Sequence, residues 1–450
     1  MATSLFLNSA GAQARLRELG EEFVLLRNPS YIHPRFELAP VAPKIFGPVP
    51  DLTAAVMDMD GTTTTTEALC LHSLETMVRR ITGRPSAADW AGLDSNLDYP
   101  HIIGNSTTKH VEYLVRTHSD AVDRNALGGA LFDAVLWTFR HGGDRQRRLE
   151  ARATLATLGW QAVLDDPRFT GLLEKAPEDE AARVLRDELL ADHLQALRVD
   201  SFEQQVRAAV DIYYSRYHEI LAAIDQGHGA QLSQELMGGQ RLIEPMPGVA
   251  VFLALLKGWL GGDEAAALCD LFLEQVPEPL RDTLPDPATC RARLATLGRH
   301  FEAHPLQVAL VTSSIRYEAD IVLREVFAVL REQIAAWPVR QALAEDFADP
   351  VAFYDAYVTA SDSSEIRLKP HRDLYCLALH RLGLAPEVFD TVIGFEDSEP
   401  GTIAIRAAGI GLCVAVPFAD THGHNFDAAS WTLPGGVPQA LLGHCLFLDL

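Results

Sequence analysis

The chain has 450 residues and carries 61 acidic against 38 basic side chains, a formal net charge of −23. That balance disfavours nucleic acid and other polyanionic partners, which need basic stripes, and leaves room for a small phosphorylated substrate bound through local charge. An apolar fraction of 48% with 22% charged residues is that of a soluble globular protein, and the length exceeds one ordinary core, so two domains are expected.

Residues 1–45 read as an N-terminal extension. MATSLFLNSAGAQARLRELGEEF lacks the basic start and apolar run of a signal peptide. Ala10 to Leu26 predicts a short amphipathic helix, and prolines at 29, 34, 40 and 43 predict a loop packed as a strap on the core. No apolar stretch approaches the about 18 residues of a membrane span. The cysteines (Cys70, Cys269, Cys290, Cys376, Cys413, Cys445) are scattered with no CxxC, which reads as reduced, mostly buried thiols in a cytoplasmic protein.

Ala54 to Met57 form a short apolar run, as expected of a strand buried in a parallel sheet. Asp58 and Asp60 follow, two residues apart, so an extended chain points both carboxylates into one pocket. Gly61 permits a sharp turn, and five threonines lead the chain away. Such a pair is either a solvated acidic turn or a metal-assisted nucleophile with its acid/base partner.

From Glu67 the apolar period becomes helical, and residues 67–243 read as an inserted helical domain. Within it, Gly104-Asn105-Ser106-Thr107 precedes a helix beginning near Thr108. Free N–H groups there make Ser106, Thr107 and Lys109 candidate anion contacts, beside the plainer reading of an N-cap.

At EPMPGVAVFLALLKG the chain returns to the core, with Pro247 in the first turn of a helix. Residues 258–304 form a second helical insertion. LQVALVTSS (306–314) predicts a strand ending in hydroxyls at Thr312, Ser313 and Ser314. A long helix from Tyr317 to Trp337 and a strand within 353–362 follow. Lys369-Pro370 precedes the next helix; the proline ends the loop and aims the lysine. Val392 to Phe395 predict a strand with Glu396 and Asp397 at its end, then a helix, then a strand from Leu412 to Val416. His422 and His424 in the tail read as a surface loop, since no further ligands cluster near them.

An apolar strand followed by DMDGT, a strand ending in Thr312, Lys369-Pro370, and a strand followed by EDSEPGTIAIRAAG occur in this order. Together they resemble the haloacid dehalogenase superfamily, in its phosphatase and β-phosphoglucomutase-like branch. The resemblance covers residues 45–67, 244–257 and 305–420. It implies an α/β fold: a Rossmann-like, doubly wound parallel sheet from residues 46–66 and 244–450, with a large α-helical cap over 67–243. It also implies a phosphatase acting on a small phosphorylated metabolite through a phospho-aspartyl intermediate. Asp58 would be the nucleophile and Asp60 the acid and base. Thr312 would contact the phosphoryl oxygens with Ser313 nearby, and Lys369 would balance charge. Asp58, Asp60 (through its carbonyl), Glu396 and Asp397 would hold a metal.

Four carboxylates in one place repel by about 4 kcal/mol per pair at ~4 Å even at an effective dielectric of ~20, so a cation is needed. An oxygen-only donor set suits Mg²⁺. Cap loops in this family touch substrate, which keeps Ser106, Thr107 and Lys109 in view. Departures are the absence of an arginine near Thr107, Arg372 where a second proline is frequent, the enlarged cap, and the 258–304 insertion. The alternatives are a phosphomutase, which the missing arginine disfavours, and a non-catalytic interaction protein. Asp60 argues against dehalogenase chemistry.

Overall fold

The computed structural model describes residues 6–28, 32–84, 86, 88–103, 106–175, 179–276, 278–282, 284–362, 365–417, 421, 423–444 and 446–449. The chain divides into two compact units, Met1–Thr65 with Ile243–Leu450, and Thr66–Leu242.

The first unit is built on strands β3 (Ala54–Asp58), β4 (Gln307–Val311), β5 (Ala356–Val358), β6 (Val392–Glu396), β7 (Leu412–Ala415) and β8 (Trp431–Thr432). They form one six-stranded sheet in the order β5-β4-β3-β6-β7-β8, and every pairing is parallel. This is a Rossmann-like, doubly wound sheet. All residues of β3 and β6 are buried. Helices cover a parallel sheet, so its central strands read as continuous apolar runs without alternation. The chain lays β4 and β5 on one side of β3, then crosses to place β6, β7 and β8 on the other. Strand order reverses at β3, and open sheets bind ligands at the carboxyl ends of strands beside such a reversal.

Helix Val249–Leu256 is buried at all eight positions, as a helix apolar on every face must be. It starts two residues after Pro247, so the proline lies ahead of the first turn. Phe252 sets its ring edge against Phe395 of β6 at 5.1 Å. The 258–304 insertion contains helices Gly262–Ala267, Cys269–Glu274, Glu278–Arg281 and Pro287–Ala303.

The N-terminal extension departs from expectation. Its helix spans Ser9–Leu19 and stops at Gly20. Phe23–Arg27 (β1) and Phe36–Pro40 (β2) then pair antiparallel, with Leu25 opposite Leu38. Four consecutive apolar residues, Phe23 to Leu26, satisfy a helical count as well as a strand, and their β-favouring types decide the matter once Gly20 has ended the helix.

Residues 41–50 lie along the core through backbone hydrogen bonds from Ala42 to Arg406 (2.9 Å), Ile45 to Gly411 (3.1 Å) and Val49 to Leu446 (3.0 Å). Arg406, 1% exposed, fastens this segment. Its Nε donates to the Ala42 carbonyl (2.7 Å), Nη1 to the Ala428 carbonyl (2.7 Å) and Nη2 to Glu22 (2.6 Å). Arg406→Ala removes charged donors from two carbonyls and is expected to destabilise this unit by about 3 kcal/mol, read as a lowered urea midpoint. An unchanged midpoint would show that the extension is held by other contacts.

The second unit is helical, with no strand among its described residues. Its longest helices are Glu67–Thr82, Arg124–His141 and Phe202–Ala223, and the last packs against the other two. Asp123, Asp144, Asp179 and Ser201 cap helix starts through their side chains, and Ser201 forms a full capping box with Gln204. No helix among the described residues is long and apolar enough to cross a membrane.

Candidate active site

Asp58 is the last residue of β3 and is 5% exposed. The turn after it runs through Gly61 at φ 81°, a conformation that favours glycine. Thr63 and Thr64 donate their N–H groups to the Met59 carbonyl (2.9 Å each), and Thr63 Oγ1 donates to the Asp58 carbonyl (2.6 Å). The threonines thus wrap the turn with local bonds instead of leading straight out. Thr65 N donates to Glu244 O (2.8 Å) and Met246 N to Thr63 O (2.9 Å), so outgoing and returning chain are paired where the helical unit is inserted.

Thr312 follows β4 and is fully buried. Its Oγ1 donates to Asp60 Oδ2 (3.3 Å) and accepts from Ser314 N (2.9 Å), while Ser314 Oγ donates to the same Asp60 oxygen (3.1 Å). Asp60 is therefore held by two hydroxyls from the neighbouring strand end. Ser313 Oγ is buried there without a hydrogen-bond partner.

Lys369 brings the two sides of the sheet together. Its ammonium, on a side chain 8% exposed, donates to Asp58 Oδ1 and to Glu396 Oε1, the latter at 2.5 Å. Burial opposes the lysine's charge, but Asp58 and Glu396 outweigh it and push its pKa above the usual lysine range. Burial, and then the charge of Glu396, push the Asp58 carboxyl up, against the pull of Lys369.

Glu396 ends β6 and is fully buried. Its Oε1 accepts from Lys369 and from Tyr375 OH (3.2 Å), and its Oε2 accepts from Ser398 N (3.1 Å) and Ser398 Oγ (2.9 Å). Those contacts use the hydrogen-bonding capacity of the carboxylate. Asp397 is 3% exposed. Asp58, Glu396 and Asp397 each offer an oxygen within 4.8 Å of the others, the one such group of three or more potential ligands among the described residues.

Sequence reasoning missed Tyr375. On the helix Asp373–Arg381 it is one buried position beside Leu374 and Ala378, and nothing in that pattern separates it from core. Burial, then Glu396, push its phenol well up, so it stays a donor. Tyr375→Phe deletes a hydrogen bond to a buried charge and is expected to lower stability by about 1.5 kcal/mol, measured by denaturant unfolding.

Ser106, Thr107 and Lys109 belong to the second unit, whereas the residues above belong to the first. Ser106 precedes helix Thr107–Thr117 without a side-chain capping bond, and Lys109 lies half-buried in the first turn. Gly104 and Asn105 fall outside the described residues, as does His422. His424 Nδ1 accepts from Glu399 N (3.3 Å).

No family model matches the chain, and no curated protein matches it. Among solved structures it is similar to CbbY from Rhodobacter sphaeroides in complex with phosphate, at 14% identity over 85% of this chain and 93% of that one, with a TM-score of 0.37. It is similar also to a β-phosphoglucomutase from Clostridium difficile, at 11% identity over 85% and 90% of the two chains, with a TM-score of 0.34. A third similar structure is a phosphoglycolate phosphatase predicted from Haemophilus somnus 129PT, at 11% identity over 87% and 97%, with a TM-score of 0.38.

Proposed function

We propose that the protein is a phosphatase that hydrolyses a small phosphorylated metabolite with Asp58 as nucleophile. The carrying observation is the buried contact of Lys369 with both Asp58 and Glu396, with Asp397 beside them, at the carboxyl ends of adjacent parallel strands.

Asp58 attacks phosphorus, and the ester P–O bond breaks as the aspartyl phosphate forms. Asp60, aimed by Thr312 and Ser314, gives its proton to the leaving oxygen. It then takes a proton from the water that attacks the aspartyl phosphate, releasing inorganic phosphate and restoring the Asp58 carboxylate. Lys369 offsets the charge of nucleophile and phosphoryl group, and Glu396 holds the lysine in place. The unpartnered Ser313 hydroxyl is suited to a phosphoryl oxygen.

The donor set fits Mg²⁺: buried carboxylate oxygens, with one lysine against several acidic groups. Asp58, Asp397 and the Asp60 carbonyl would hold the ion, while Glu396, whose oxygens are already engaged by Lys369, Tyr375 and Ser398, would balance its charge from beside them. When bound, Mg²⁺ would neutralise phosphoryl charge and lower the repulsion between Asp58 and the ester.

The test is phosphate release from p-nitrophenyl phosphate, in Mg²⁺ and after chelation with EDTA. Release that depends on Mg²⁺ is expected, and no release over a metabolite panel in either condition would sink the reading. Sustained turnover without a bisphosphate activator separates a phosphatase from a mutase.

A further inference from the structure

The second unit carries a cationic hollow that the chemistry above does not use. His72, Thr76, Arg79, Arg80 and Gly83 recur at spacings of three and four along and just past helix Glu67–Thr82, so they share one stripe of its surface. Thr76, Arg79, Arg80 and Gly83 line a hollow of about 400 Å³, a size ordinary for a small-ligand pocket. Arg216, on helix Phe202–Ala223, reaches the same stripe, with Nη2 3.3 Å from His72 Nε2.

In a chain of net charge −23 this is a local excess of positive charge. Arg216 Nη1 meets Glu219 at 2.7 Å, and Arg79 Nη2 lies 3.6 Å from Glu75 Oε2. Glu75 is shared, since its other oxygen accepts from Leu93 N at 2.9 Å. His72 adds no charge of its own: burial, then Arg216 and Arg79, push it down to about 4, so its ring can accept from Arg216.

The Nε atoms of Arg79 and Arg216 are both buried and make no hydrogen bond. The Nε and Nη edge of a guanidinium is the fork that takes two oxygens of a carboxylate or phosphate together. Trp90 lies under the Arg79 guanidinium at 5.5 Å and holds it in place. Pairing with the helix macrodipole accounts for Arg79 and Arg80 in a last turn. It leaves the two unfilled Nε donors unexplained, as well as Arg216, which comes from another helix.

We infer that this hollow binds a phosphate-type oxyanion, gripped by Arg79 and Arg80, which line it, with Arg216 approaching from the His72 end of the stripe. Free phosphate and the phosphoryl group of an ester present the same oxygens, and the experiment distinguishes them.

The full chain is labelled with phenylglyoxal, and the rate at each arginine is read by peptide mass mapping in chloride, inorganic phosphate and glucose 6-phosphate. Arg79, Arg80 and Arg216 are expected to be modified severalfold more slowly in phosphate. Arg183, whose side chain is 64% exposed, serves as control and should react at one rate throughout. Greater protection by the ester identifies an esterified ligand; equal or weaker protection identifies free phosphate. Equal labelling in all three solutions, or slowing that extends to Arg183, overturns the assignment. Arg216→Gln should weaken phosphate protection of Arg79, with circular dichroism to verify the fold; undiminished protection in a folded variant removes Arg216 from the site. These readouts do not involve Asp58, so they hold or fail independently of the proposed phosphatase activity.

Discussion

Asp58→Asn is expected to lower phosphate release by about 10⁴-fold or more while the protein stays folded. An amide cannot form the acyl phosphate, and loss of a nucleophile removes the whole two-step route. Lys369 keeps Glu396 as a partner in the variant, so its charge stays paired and the core keeps its contacts. Asp60→Asn should cost less, about 10²–10⁴-fold, because an acid/base group assists the steps without forming the bond. Its largest loss is expected on esters with poor leaving groups, and p-nitrophenyl phosphate, with a good one, should be the least affected. Equal activity of Asp58→Asn and wild type, measured as initial rates in Mg²⁺, would take Asp58 out of the chemistry.

Gly401→Ala should also be damaging, although Gly401 carries no functional group. It sits in the first turn of helix Glu399–Ala407, and a Cβ there would fall inside the Glu396 carboxylate. The carboxylate would have to leave Tyr375, Ser398 and Lys369 together. Overpacking of this kind costs about 1–3 kcal/mol, and parting a buried charge from its partners about 3–5 kcal/mol. The expected result is a clear fall in unfolding midpoint together with at least a hundredfold loss of turnover, since the lysine would lose its second anchor. Gly171 is a useful control, because nothing lies within 4 Å of a Cβ built there. Gly171→Ala, inside helix Pro167–Leu173, should lower neither readout, since alanine favours a helix over glycine. If Gly401→Ala does the same, helix and carboxylate do not approach this closely in solution.

The central strands of the sheet were legible because short apolar runs closed by polar or turn residues carry both the period and the end of a buried parallel strand. Ala54–Asp58, Gln307–Val311 and Val392–Glu396 lie within a residue or two of where their patterns place them. The hairpin at Phe23–Pro40 was not legible, since its apolar residues fit either period. Arg406 was equally hidden. It reads as a solvated helical arginine, the usual fate of that residue, and its burial follows from a strap that arrives from hundreds of residues away.

By itself the sequence determined which side chains stand at the ends of strands: Asp58 after one apolar run, Thr312 after the next, Glu396 and Asp397 after a third. That information is local, written in periodicity and turn chemistry. Only the tertiary structure decided that Lys369 lies against Asp58 and Glu396 together, that Tyr375 and Ser398 fill the remaining capacity of Glu396, and that Thr312 and Ser314 both turn to Asp60. Those contacts depend on β4 and β6 flanking β3 in fixed register, Asp58 beside Val311 and Met57 beside Phe395. Pairing across such sequence distances is selected by burial of the whole sheet, and no short stretch of chain encodes it.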